Sequence, residues 1–206
     1  MRPRTIHDHK IHCAYGINDE LVVINKSIFN ICPFCGYASL DSSNGNGHCT
    51  PYNTKCNHNL EEISLGHIFH TDVFVMSFDQ CHIDNYDMAV SILAGLITAF
   101  SKLFYIDENE ISGCLSNSIN GFEFILYDNT PGGAGYVKHI LNDDEDNVYL
   151  LIEKALSIAK NCDCGGGETT DCACYSCLLT YRNQRYHDKI KRSLVIEGLK
   201  PFEEST

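Results

Sequence analysis

A chain of 206 residues can bury a hydrophobic core of its own, so one domain carrying a small lobe is expected. Its formal charge of -12 excludes a general electrostatic attraction to nucleic-acid phosphates, and any such contact must use a local basic patch. The opening MRPRTIHDHK has no apolar stretch of the signal-peptide kind, so the twelve cysteines are expected as metal-ligating thiols in a reducing cytoplasm; no run reaches the roughly 18 to 20 apolar residues that cross a bilayer, so no membrane partner is expected.

In chain order, Leu21 to Ile24 is rich in β-branched residues and reads as a strand, followed by a cysteine knuckle and a polar loop from Asp41 to Asn59. Residues 67–78 are dense in β-formers and read as a mostly buried strand. Asp84 or Asn85 then caps a helix in which Met88, Ile92, Leu93, Leu96, Ile97, Phe100 and Leu103 recur at helical spacing. Phe122 to Tyr127 reads as a second buried strand, and the turn residues Asp128 to Gly133 precede a helix from about Ala134 to Leu141. The acidic run Asp143, Asp144, Glu145 and Asp146 reads as solvated loop. An amphipathic helix over 148–160 delivers the chain to the last cysteine cluster, and Ile190, Leu194, Ile196 and Leu199 suggest a terminal helix. Strands mixed with helices predict an α/β or α+β fold: one domain over 1–206 with a mixed sheet and packed helices, a zinc lobe inserted at 30–60 and a second cluster at 162–178.

Cys32-Pro-Phe-Cys35-Gly36 is a zinc knuckle, because two sulfurs three residues apart converge on one tetrahedral metal and the glycine accommodates the turn. Cys49 and Cys56 complete a four-cysteine set, with His48 and His58 close enough to replace either. In the second cluster five cysteines compete for four places. Cys162 and Cys164 face together in an extended segment, Cys174 and Cys177 form a knuckle pair, and Cys172 is left over, with Gly165, Gly166 and Gly167 as the return. A saturated thiolate site has no open position for substrate water, so both clusters are expected to be structural; iron–sulfur binding is the competing metal reading. Two zinc ions each held by four thiolates would take the formal charge to roughly -16.

Leu65-Gly66-His67 with Thr71-Asp72, Tyr127-Asp128 before Pro131-Gly-Gly-Ala-Gly-Tyr136, the Cys-x-Cys and Cys-x-x-Cys-Leu178 pairs, and Tyr181-Arg-Asn-Gln184 before His187 stand in an order that resembles the MrfA-like zinc-binding domain. Tyr15-Gly16 with Leu21 to Asn25 looks like that family's entry strand. The domain occurs at the C-terminus of superfamily 2 helicases associated with DNA repair and in the DrmB component of the DISARM anti-phage system. The resemblance implies a helicase-associated module whose four zinc ligands correspond to Cys162, Cys164, Cys174 and Cys177; the long spacer holding Cys172 departs from the pattern. No phosphate-binding Gly-x-x-x-x-Gly-Lys-[Ser/Thr] loop and no Asp-Glu-x-His or Asp-Glu-x-Asp box is present, so the chain is expected to be non-catalytic, with the helicase motor on another polypeptide.

Three enzyme-like features carry blander readings. Pro131 to Gly135 is a tight turn that packs helix on strand sooner than an anion cradle. His67, His70 and Asp72 read as hydrogen-bonded core groups sooner than a metal site. His187-Asp-Lys189 begins like the His-x-Lys motif of phospholipase-D-type nucleases, but Leu194 stands where the aspartate belongs. Arg182, Arg185, Lys189, Lys191 and Arg192 form the local basic segment expected to meet DNA, alongside Asn183, Gln184 and Tyr186.

Overall fold

The computed structural model describes residues 2–5, 11–40, 47–50, 52–78, 83–140, 146–167 and 169–202. Its strands are β1 (Arg2–Thr5), β2 (Ile11–Ile31), β3 (Ala38–Ser39), β4 (His48–Cys49), β5 (Lys55–Cys56), β6 (Glu61–Phe78), β7 (Ile111–Ser118) and β8 (Gly121–Asp128). The helices are α1 (Tyr86–Phe104), α2 (Asp146–Lys160) and α3 (Arg192–Leu199), with short 3-10 turns at Val137–Ile140, Gln184–Tyr186 and Lys200–Phe202. The chain divides into two compact units, Met1–Glu20 with His70–Thr206, and Leu21–Phe69.

In the first unit β8 lies between β6 and β7, antiparallel to both: Val73 faces Tyr127 on one side and Ile111 faces Asp128 on the other. Every register described is antiparallel, which makes the architecture the α+β form of the expected fold. The C-terminal half of β6 buries Val73, Phe74, Met76 and Phe78 almost without alternation, as a strand covered on both faces must. The β7 strand is absent from the sequence reading because ISGCLSNS offers only Ile111 and Leu115 as large apolar residues; its ladder with β8, not its own propensity, makes it a strand.

Helix α1 begins where Asn85 accepts hydrogen bonds from the N–H groups of Asp87 and Met88 at 2.9 and 3.1 Å, and it ends at Tyr105 in the left-handed conformation (φ 55°). By length and composition it is apolar enough to cross a bilayer, yet eleven of its 19 residues are buried against the sheet, α2 and α3. It is the core helix. Ile92, Leu96 and Phe100 meet Phe74, Leu151, Ile152, Leu156, Val195 and Leu199 in one apolar cluster that also takes in Cys177 and Leu178. Gly198 lets α3 pack tightly on α1, because a Cβ there would stand 2.6 Å from the Ile92 side chain. The expected helix at 134–141 is a 3-10 turn over Val137–Ile140, and of the acidic run 143–146 only Asp146, the first residue of α2, lies within the described residues.

In the second unit, Asn30 and Ile31 at the end of β2 pair with Ser39 and Ala38 of β3, which folds the knuckle between them. Strands β4 and β5 form a separate hairpin with His48 opposite Cys56 and Cys49 opposite Lys55.

Candidate metal centres

The C-terminal cluster starts where α2 stops at Lys160. Cys162 and Cys164 leave the helix, and Gly165, Gly166 and Gly167 reverse the chain at φ 79°, 73° and 74°, a region open to glycine. Cys172 to Cys177 then returns, and the carbonyl of Cys174 accepts from the N–H groups of Cys177, Leu178 and Leu179 at 3.0 to 3.1 Å, closing the knuckle. The Sγ atoms of Cys162, Cys164, Cys174 and Cys177 all lie within 4.8 Å of one another. Sγ–Sγ separations are 3.6 Å for Cys162 and Cys174, 4.0 Å for Cys164 and Cys177, and 3.7 Å for Cys174 and Cys177. A tetrahedron with Zn–S bonds of about 2.3 Å has edges of about 3.8 Å, so the four sulfurs stand at the spacing zinc requires.

Backbone amides prepare the site for thiolates. The Ser176 N–H donates to Cys174 Sγ at 3.4 Å, and the Cys174 N–H to Cys177 Sγ at 3.1 Å. Burial opposes ionisation of Cys174, but the Ser176 amide and the thiols of Cys162, Cys177 and Cys164 outweigh it and hold the pKa down to about 7. Burial pushes Cys177 up to about 11 and Cys164 higher still. Metal binding by these thiols displaces their protons. Cys172 stays outside the set: its thiol donates to the Cys164 carbonyl at 3.3 Å and lies 3.8 Å from Cys164 Sγ.

The N-terminal cluster consists of Cys32, Cys35, His48 and Cys56. The Gly36 N–H closes the knuckle turn on the Cys32 carbonyl at 2.9 Å, with Gly36 at φ 73°. Cys32 Sγ is 3.8 Å from Cys56 Sγ, and Cys35 Sγ is 3.1 Å from His48 Nε2, a hydrogen-bond distance somewhat below the roughly 3.6 Å of a tetrahedral S–N edge. The predicted ligand Cys49 is exposed and outside the group. The reason is the register: His48 and Cys56 are directly opposite and project from one face of the β4–β5 ribbon, and Cys49, one residue on, projects from the other. His58 stacks on Phe34 with ring centroids 4.2 Å apart and takes no part. Burial opposes the Cys32 thiolate, yet the Cys35 and Phe34 amides lower its pKa; burial raises that of Cys35. Both donor sets fit zinc. With three thiolates and an imidazole here and four thiolates in the other cluster, the loaded chain carries a formal charge of about -15.

The remaining candidates resolve into structure. The glycine loop folds around an anion of its own: Asp128, fully buried, accepts from the N–H groups of Ala134, Tyr136 and Val137 at 2.8, 2.9 and 2.9 Å. Gly133 (φ 78°) is required there, because a Cβ would lie 2.5 Å from the Asp72 carboxyl carbon. Asp72 in turn pairs with Lys138 Nζ at 3.0 Å and accepts from the Asn18 N–H at 2.9 Å. Among the described residues no metal-ligand group includes His67, His70 or Asp72. His187 Nε2 sits 3.0 Å from both the Thr180 carbonyl and Asn183 Oδ1, holding a turn.

Of the basic segment, Arg182 and Arg185 are exposed beside Tyr181, itself 84% exposed, with Arg185 stacked over Tyr186 at 4.6 Å. Lys189 is paired with Asp87 at 3.2 Å, and Lys191 is half-buried. Arg192, predicted to meet DNA, is 2% exposed and surrounded by carbonyls, so it cannot reach a phosphate. Its burial was legible in outline, because Arg192, Val195 and Leu199 fall on one helical face.

Residues 92–178 match the family model of the MrfA Zn-binding domain, which contains the C-terminal cluster and not the N-terminal one. Among solved structures, a crystal structure of the DUF1998 helicase MrfA bound to DNA is similar at 15% sequence identity with a TM-score of 0.51. The alignment covers 97% of this chain and 23% of that one, a likeness of fold. No curated protein matches the chain.

Proposed function

We propose that this chain, which carries a MrfA Zn-binding domain over residues 92–178, is a non-catalytic accessory part of a superfamily 2 helicase system, cytoplasmic and acting in DNA repair or anti-phage defence. In this reading the motor lies outside these 206 residues, on another polypeptide to which the chain docks, and DNA is met through Tyr181, Arg182 and Arg185. The observation that carries the accessory role is the saturation of both clusters: each supplies four ligands, which leaves no coordination position for a reacting water. The similar helicase was crystallised with DNA, and this chain spans under a quarter of its length, which supports a module attached to a motor. An exposed tyrosine beside two exposed arginines is a surface on which a base can stack and phosphates can be neutralised.

The test is DNA binding by the zinc-loaded chain across a salt series. Arg182→Glu with Arg185→Glu is expected to weaken binding and reduce the slope of log affinity against log salt by about 2, since each phosphate contact contributes roughly 0.9. An unchanged slope removes DNA contact from the proposal. Nuclease activity with added divalent metal, lost on changing His187 or Asp72, overturns the accessory role, and copurification from the native cell identifies the motor.

A further inference from the structure

Arg192 is the largest side chain in the protein's fully buried set, and no carboxylate pairs with it among the described residues. A buried guanidinium without a counter-anion is strongly penalised, so its surroundings must explain it. Its Nη1 donates to the carbonyls of Ala159, at 3.1 Å, and Cys162. Its Nη2 donates to the carbonyls of Cys164 at 2.8 Å and Thr169 at 2.7 Å, and its Nε to that of Cys172 at 3.3 Å. The partners are the last turn of α2, two metal-ligating cysteines, and the middle and end of the spacer. One planar fork thus ties together five carbonyls between residues 159 and 172, which a lysine ammonium with three donors on a flexible stem could not do.

The charges agree with the geometry. Four thiolates around a dication leave two net negative charges, whereas the N-terminal set of three thiolates and an imidazole leaves one. The more negative centre is the one provided with a buried cation.

We propose that Arg192 is the counter-cation and carbonyl clamp of the C-terminal zinc centre, a positioning residue that shapes the ligand loop through its backbone and offsets the excess charge of the four thiolates. The idea rests on the zinc reading of that cluster. It also accounts for the long spacer: Thr169 and Cys172 are tied to the guanidinium through their carbonyls, and the Cys172 thiol bonds the Cys164 carbonyl.

The experiment follows zinc loss from the full, zinc-loaded chain to a chromogenic chelator, in a Cys32→Ser/Cys35→Ser background that leaves one centre, and the absorption of the cobalt-substituted protein. Arg192→Met is expected to release zinc about 10- to 100-fold faster and to shift the sulfur-to-cobalt charge-transfer bands. Arg192→Lys, which keeps the charge and loses the fork, is expected to recover part of the loss. Wild-type release rates and bands in both variants overturn the proposal, and Arg192→Lys as fast as Arg192→Met overturns its counter-charge half. If Arg192→Met does not fold, Arg192→Lys decides alone, faster release supporting the clamp and wild-type release refuting it. A parent chain that binds no zinc at this cluster sinks the metal reading and the inference with it.

Discussion

Replacing Asp128 with asparagine tests whether the glycine loop is a built-in turn or an open anion cradle. The carboxylate is fully buried and accepts three N–H groups, Ala134 and Tyr136 on one oxygen and Val137 on the other. An asparagine keeps one acceptor oxygen. In its better orientation that oxygen retains Ala134 and Tyr136, and its amide nitrogen then confronts the Val137 N–H, donor against donor. One buried donor left unsatisfied costs about 1–3 kcal/mol, and losing the charge assistance on the other two bonds adds about 1 kcal/mol. A total of about 2–4 kcal/mol is a large share of the roughly 5–15 kcal/mol that stabilises a domain. For a chain of this size it lowers Tm by roughly 5–15 °C. Urea and thermal unfolding with zinc in excess measure it. An Asp128→Asn chain within about 0.5 kcal/mol of the parent would refute the reasoning.

Elemental analysis should find two zinc ions in the parent chain, and one in His48→Ala or Cys56→Ser; Cys49→Ser should keep both, since Cys49 points away from the site, and a loss of zinc there would reverse the register argument. The buried thiol of Cys13 and the half-buried thiol of Cys114, with pKa values pushed by burial to about 12 and about 11 from 9.0, set an alkaline limit. Their folded-state pKa values are raised, so their contribution is complete below pH 9 and lost as pH climbs through 11 and 12. Unfolding followed from pH 8 upward should show that fall, and Cys114→Ala should weaken it.

What could be read in the residues was whatever depends on local spacing. The α1 pattern from Met88 to Leu103, its Asn85 cap and the strand ending at Phe78 are period and capping signals, and the structure has all three. The clusters were legible as knuckles, because residues three apart at Cys32 and Cys35, or Cys174 and Cys177, meet at any knuckle turn. Cys49 was misassigned for the converse reason. Choosing between His48 and Cys49 needs the β4–β5 register, a pairing across five residues of loop that no local pattern fixes. Strand β7 and the role of Arg192 share that character: each is determined by a distant partner, β8 in one case and the carbonyls of residues 159–172 in the other.

Cys177 and Arg192 connect the metal site to the surface. The segment from Leu178 to Lys191 leaves the cluster at Cys177 and returns to it at Arg192. Both ends are therefore fixed by the cluster loop, Cys177 as a ligand seated in the core and Arg192 by its carbonyl bonds. Between them the turn is braced by its own polar groups: Asn183 donates to the Leu178 carbonyl at 2.8 Å and accepts from the Thr180 N–H at 2.8 Å, and His187 bonds Thr180 and Asn183. Tyr181, Arg182 and Arg185 project from this braced loop into solvent. A short loop tied at both ends gives up little conformational freedom when it binds, whereas the same residues on a free tail would lose much of their contact energy to ordering. In the proposed reading, a zinc centre with no open coordination position serves DNA contact by fixing the loop that presents Tyr181, Arg182 and Arg185.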